Sequence, residues 1–377
     1  MNRFFLLLSL AFLVGSFSCQ HESSNAGTRA SKVIIGYAPG FRGELDVETI
    51  AADKVSHINY AFVDVKDSMA WLTNMATDTI NFRNLVKLRE KNADLKILIS
   101  IGGWSWSENF SDAVLTPSSR RKFAESSAAI VEKYDLDGVD IDWEYPGSRG
   151  EDNVFRVEDR ENFVSMFEAL REALDRLSAK TGKIQLLTTA IPCFQEFIDR
   201  NDMGAAAQYL DYVNVMAYDF YVSGPFGGHH SNLYHSESYE GELSAHRAIT
   251  EYVAQGVPIE KIVLGVPFYG RSWFMQTGEN HGINRAIASV ARAGGYTYIR
   301  DSMMTRPGLV RYWDDKAKAP YLFNEETNQL VTFDDEESLR IKCDYVIENN
   351  LAGLMFWQFA SDPKGYLLNA LNEKIAP

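Results

Sequence analysis

Eight apolar runs recur along the chain, and most are followed by a stretch with helical spacing. The runs are Lys32–Tyr37, His57–Val63, Lys96–Ile101, Gly138–Trp143, Ile184–Ala190, Val213–Tyr218, Ile262–Pro267 and Gly353–Gln358. They are rich in β-branched residues and apolar on both faces, the pattern of parallel strands covered on both sides. Helical periodicity predicts helices over Val47–Asp53, Phe82–Lys91, Ser118–Tyr134, Arg160–Lys180, Ala205–Leu210, Glu242–Gln255 and Glu337–Asn349, with a closing helix over Pro363–Leu371. End signals agree. Thr116-Pro117 opens the third helix, Gly182 follows the fourth, and Gly256-Val257-Pro258 stops the sixth. Eight such units predict an α/β fold, a (β/α)8 TIM barrel closed by right-handed crossovers, with an open doubly wound sheet as the alternative.

One connection breaks the rhythm. About 65 residues, 272–336, separate the seventh run from its helix, far more than a βα loop needs. Gly294–Ile299, Tyr321–Phe323 and Leu330–Phe333 read there as short strands between Gly, Asn and Asp. They predict a small α+β insertion over the C-terminal face of a barrel spanning 32–377.

The fourth run, with its flanks, is chemically unusual. DGVDIDWEYPG, Asp137 to Gly147, sets four carboxylates into an apolar segment. Asp140, Asp142 and Glu144 alternate with Val139, Ile141 and Trp143, so the three acids share one face of a strand. Same-face neighbours lie about 6.5–7 Å apart, where like charges repel in a low dielectric. Burying unpaired carboxylates is costly, so folding alone would not assemble this row. Functional side chains of a TIM barrel collect at the C-terminal strand ends. Those ends carry Tyr37, Phe62, Gly102-Gly103-Trp104, Glu144-Tyr145, Met216-Ala217-Tyr218-Asp219, Tyr269-Gly270-Arg271 and Trp357. Carboxylates and aromatics on one rim are the lining expected of a carbohydrate cleft. Glu144 is outermost, and crowding by Asp142 is expected to keep it protonated as a general acid. A second carboxylate across the sugar, which paired-acid glycosidases require, is missing from this strand.

Composition narrows the partners. A formal net charge of −14 without a basic cluster speaks against nucleic acid. The aromatic share of 12% supplies rings for stacking on sugars as well as for the core. At the N-terminus, Arg3, the apolar run Phe4–Val14 and small or polar residues leading to Cys19 form a signal-peptide pattern over 1–19. Cys19 resembles the lipidated cysteine of a bacterial lipobox, although Ser16, Phe17 and Ser18 precede it. Lipid anchorage at Cys19 to an outer membrane or cell surface is therefore expected, with plain secretion or periplasmic export as the alternative. Residues 20–31 read as a flexible tether. Membrane contact would come only through that anchor, and the protein is expected to be a monomer. Cys193 and Cys343 are expected to be separate buried thiols. His229, His230 and His235 are expected to be solvated loop residues, so neither a metal nor a cofactor is predicted. A calcium loop is unsuited, because Tyr145 stands where the EF-hand needs Gly.

With these residues in view, Asp137–Pro146 resembles the signature of the family 18 glycoside hydrolases, typically chitinases. Ser100–Trp104, Met216–Asp219, Pro267–Arg271, and Gly353–Trp357 followed by Asp362 extend the similarity from about Val33 to Leu371. The resemblance implies a retaining, substrate-assisted glycosidase that cuts β-1,4 bonds of chitin or chito-oligosaccharides. Glu144 would protonate the scissile oxygen while the substrate's 2-acetamido carbonyl attacks the anomeric carbon. Asp142 would orient the acetamido N–H, Asp140 would share a proton with Asp142, and Asp137 would support the row. Tyr218 would hold the acetamido oxygen. Asp219, Arg271 and Met216 would shape the subsite, Trp357 would be its floor, and Tyr37, Trp104 and Tyr145 would complete the cleft. An endo-β-N-acetylglucosaminidase acting on glycoprotein glycans and an inactive chitin-binding lectin are the competing expectations.

Overall fold

The structure, a computed structural model, describes residues 32–222, 224–237 and 243–375. The expected signal segment, Cys19 and the tether lie outside these residues. Eight parallel strands form the centre: β1 Val33–Pro39, β2 His57–Lys66, β3 Lys96–Gly102, β4 Gly138–Asp142, β5 Leu186–Pro192, β6 Tyr212–Met216, β7 Ile262–Pro267 and β8 Gly353–Trp357. Each strand pairs with the next in sequence, and β8 returns to β1 in the register Val33↔Gly353 through Gly36↔Phe356. The sheet is therefore closed, a (β/α)8 TIM barrel, and its interior strands leave no unpaired edge.

Alternation along the strands sorts the two faces. Val139 and Ile141 of β4 point outward into the main core, packed with Val131, Phe163 and Phe167 of the helices Pro117–Lys133 and Asp159–Thr181. Asp140 and Asp142 point into the barrel. Thr116 caps the first of these helices by accepting from Ser119 N–H, with Pro117 at the first turn. Gly182, at φ 73°, ends the second.

Several sequence expectations shift at their edges. The expected helix Val47–Asp53 is two single turns, Val47–Thr49 and Ala52–Lys54, because so short a segment cannot repay helix nucleation. The second helix begins earlier, at Met75, and the fifth shrinks to Met203–Ala206.

The long connection after β7 builds an antiparallel sheet from Tyr269–Met275, Arg285–Gly295, Val310–Asp314, Ala319–Asn324 and Gln329–Thr332, with Phe226–Gly227 of the β6 loop added at one edge. Its own small core holds Trp273, Met275, Ile283, Phe323 and Leu330. The expected strand Gly294–Ile299 is corrected. The strand runs on through Gly294 and ends at Gly295, and Tyr296–Tyr298 turn helical with Tyr296 buried.

Candidate active site

The acidic row climbs the inside of β4. Asp137, just before the strand, lies at the N-terminal end, where it accepts from Arg89 Nη2 at 2.6 Å and from Ile97 N–H, and pairs with Lys183. It anchors the strand's base and is remote from the cleft. Asp140 sits in mid-barrel and accepts from Tyr37 Oη and Ser100 Oγ at 2.8 Å, and from Thr188 Oγ1 at 2.5 Å and Asn214 Nδ2 at 3.2 Å. Four neutral donors from β1, β3, β5 and β6 thus converge on one buried carboxylate. Burial raises its pKa and these donors oppose the rise.

Asp142, one step above, is also buried, yet its Oδ1 has no donor. Burial holds its proton affinity well above normal, and the neighbouring Glu144 and Asp140 add to this. Glu144 lies just beyond the strand end, with its backbone N–H donating to Ser107 Oγ at 2.9 Å. Its carboxyl is pushed up to about 7 by burial; the Tyr145 hydroxyl opposes this and the charge of Asp219 adds to it. Burial is the leading cause of this rise, and the repulsion between Glu144 and Asp142 appears in the raised proton affinity of Asp142.

Trp357 at the end of β8 forms the floor. Its ring is 5.4 Å from Tyr37, 5.5 Å from Phe62 and 6.2 Å from Phe41, and the two Phe rings lie within 18° of parallel to it. Tyr37 is buried beneath Trp357 and reaches the cleft mainly through its bond to Asp140. Tyr218 shares the cleft wall with Met216, and burial together with Asp142 and Asp219 keeps its hydroxyl protonated, hence a donor. Trp104 stands exposed on the opposite lip, 6.4 Å from Tyr145. These side chains line a cleft of about 1460 Å³ at the C-terminal face.

Asp219 is locked in place, at φ 61°. It accepts from Arg271 Nε and Nη2 at 2.7 and 2.6 Å and from Tyr269 Oη at 2.8 Å, with His230 Nδ1 at 3.4 Å. Burial would raise its pKa, but His230 and Arg271 outweigh burial and hold it far below the carboxylate range. The expectation of solvated loop residues is thereby corrected for His229 and His230, while His235 is half-buried. His229 and His230 are buried, His229 facing Asp314 at 3.2 Å, because the inserted sheet covers their loop. Among the described residues no group of three metal-ligating side chains occurs. Cys193 and Cys343 are free and buried.

Sequence reasoning missed Ser107, which donates to Gly103 O at 2.8 Å while holding the Glu144 backbone, and Phe41, whose ring extends the floor. Neither belongs to a periodic pattern, so only folding reveals them. Phe62 has a strand end but no role in the sequence pattern; a register shift between Ala61 and Val63 lets it stack on Trp357.

The family model "Glycosyl hydrolases family 18" matches residues 27–362. Among curated relatives, chitinase A1 of Niallia circulans is 33% identical over 98% of this chain, which spans 62% of that protein's length. Chitotriosidase-1 of Mus musculus is 32% identical over 83% of this chain and 68% of its own. Among solved structures, a family 18 N-acetylglucosaminidase from Paenibacillus barengoltzii superposes with a TM-score of 0.85 at 37% identity, covering 91% of this chain and 99% of that one.

Proposed function

Because this chain belongs to the glycosyl hydrolases of family 18, we propose that it cleaves β-1,4 bonds following N-acetylglucosamine in chitin or chito-oligosaccharides by substrate-assisted catalysis. One observation carries the mechanism: among the described residues, no carboxylate lining the cleft stands across from Glu144 free to act as nucleophile. Asp219 is held by Arg271 and Tyr269, and Glu196 by Arg200 at 2.8 Å. Asp142 ends β4 and Glu144 lies just beyond it, on the same side of any bound sugar.

Glu144 therefore gives its proton to the glycosidic oxygen as the C1–O bond breaks. The acetamido oxygen of the sugar above Trp357 closes on C1 and forms an oxazolinium. The Oδ1 of buried Asp142, which has no donor, accepts from the acetamido N–H, and Asp142, its proton passed to Asp140, offsets the positive charge there. The Tyr218 hydroxyl donates to the acetamido oxygen and fixes its approach. A water, deprotonated by the Glu144 carboxylate, then opens the ring with overall retention. Asp140, held by its four donors, sets the height and charge of Asp142.

The test is hydrolysis of aryl chitobioside alongside the equivalent glucose disaccharide. Cleavage of both would contradict an acetamido nucleophile. The Paenibacillus neighbour favours a second reading, release of single sugars from a chain end. Chitohexaose products separate the two: N-acetylglucosamine alone from the earliest times supports it, and internal fragments exclude it. Export with lipidation at Cys19 rests on the sequence pattern alone. Loss of palmitate labelling in Cys19→Ser would support it, and an unlabelled native chain would end it.

A further inference from the structure

The molecule is acidic, with a net charge of −14, yet its cleft mouth is not. Of the carboxylates lining the cleft, Asp142 and Glu144 have raised proton affinities, Asp219 is bound to Arg271, and Glu196 to Arg200. Among the described residues, what remains at the mouth is three arginines, Arg42, Arg149 and Arg292. All three are exposed, and among the described residues none has a carboxylate within ion-pair distance. They come from three separate elements: the turn after β1, the loop after β4, and the strand Arg285–Gly295 of the inserted sheet. Around a groove filled by a neutral polymer, three unneutralised cations would serve no electrostatic purpose. On so acidic a surface, partners for them would be easy to supply.

We propose that the cleft mouth sorts N-acetylated glycans by charge, preferring chains that carry carboxylates and disfavouring chains with free amines. This rests on the glycoside hydrolase reading given above. Arginine is well suited to such sorting, because its planar fork pairs with a carboxylate through two parallel hydrogen bonds and cannot be neutralised by pH. A carboxylate on a sugar flanking the cleaved one would meet this fork at the rim. The ammonium of a deacetylated sugar would meet repulsion at the same points, in addition to lacking the acetamido group at the cleavage point.

The experiment measures kcat/KM of the full chain on three soluble polymers: carboxymethyl chitin, glycol chitin as the neutral polymer with a comparable substituent, and partly deacetylated chitosan. The expected order is carboxylated, neutral, amine-bearing, with about a 3- to 10-fold step between the first two at low salt, the scale of a few exposed ion pairs. The step should shrink towards unity near ~0.5 M salt, where the Debye length falls below the reach of rim charges. R42Q/R149Q/R292Q should reduce the carboxylated-to-neutral ratio several-fold. A ratio at or below one, a ratio indifferent to salt, or equal loss on all three polymers in the triple variant would overturn the proposal. Cleavage of none by the native chain would instead defeat the proposed function. Binding of the three polymers to the Glu144→Gln protein then decides the charge preference by itself: the same order supports it, and equal affinities overturn it.

Discussion

Glu144 carries the sharpest consequence at the scale of single residues. Its carboxyl, held near 7 chiefly by burial, must be protonated to act as an acid. Activity is therefore full below that value and falls as pH rises through it, by about tenfold per pH unit in kcat/KM for a one-proton group. A flat rate from pH 6 to 9 on aryl chitobioside would exclude Glu144 as the acid. Glu144→Gln keeps the shape and removes the proton, so kcat is expected to fall about 10²–10⁴-fold and the alkaline limb to vanish. The same raised pKa acts on stability. The folded state keeps a proton that the unfolded chain, near 4.5, has released, so stability present below 4.5 is lost as pH climbs towards 7. Glu144→Gln should thus melt above the native protein at pH 8, with the gap narrowing at pH 4 in calorimetry. Tyr218→Phe deletes the donor proposed for the acetamido oxygen and should lower kcat about 10²-fold. Unchanged kcat in stopped assays would remove Tyr218 from the mechanism. The alternation of acids with apolar residues placed Asp142 and Glu144 in the sequence unaided. The locking of Asp219 by His230 was invisible there, because the partners are 11 residues apart in a loop whose course only packing fixes.

Among the elements, the turn after β3 is a tight joint beneath the floor of the cleft. Gly103, at φ 78°, leaves room for the Phe62 ring, which a Cβ would approach to 2.4 Å. Phe62 in turn stacks on Trp357, so Gly103→Ala should cost about 1–3 kcal/mol in urea unfolding and raise KM as the floor is displaced. Gly182→Ala is the matched control, because its φ is 73° but nothing lies within 4 Å of its Cβ site. It should lose stability and leave KM alone. Equal KM in both variants would break the link from turn to floor. The eight barrel strands were legible because two-sided burial forces long apolar runs. The short helices were not. Their few residues have weak propensities, and tertiary contacts set where each turn begins.

For the whole molecule, the fully buried pair Lys342–Asp334 ties a barrel helix to the inserted sheet. Lys342 Nζ donates at 2.6 Å both to Asp334 and to the carbonyl of Ser231, next to His230. Lys342→Met leaves Asp334 buried without its counter-charge and should cost about 3–5 kcal/mol. The double variant Lys342→Met/Asp334→Leu should recover much of that in urea melts; no recovery would mean that the pair contributes mainly through the Ser231 bond. By itself the sequence determined the closed α/β barrel and the acidic strand, and through its motifs the family. Those features are periodic or local: side-chain alternation and apolar run length act between near neighbours, so their signal survives in one dimension. Only the tertiary structure decided how the row is supported. Tyr37, Ser100, Thr188 and Asn214 meet on Asp140 from four strands, and three rim arginines gather from distant segments around one mouth. Such convergence depends on barrel closure and on burial, quantities that no stretch of chain possesses until the rest has folded around it.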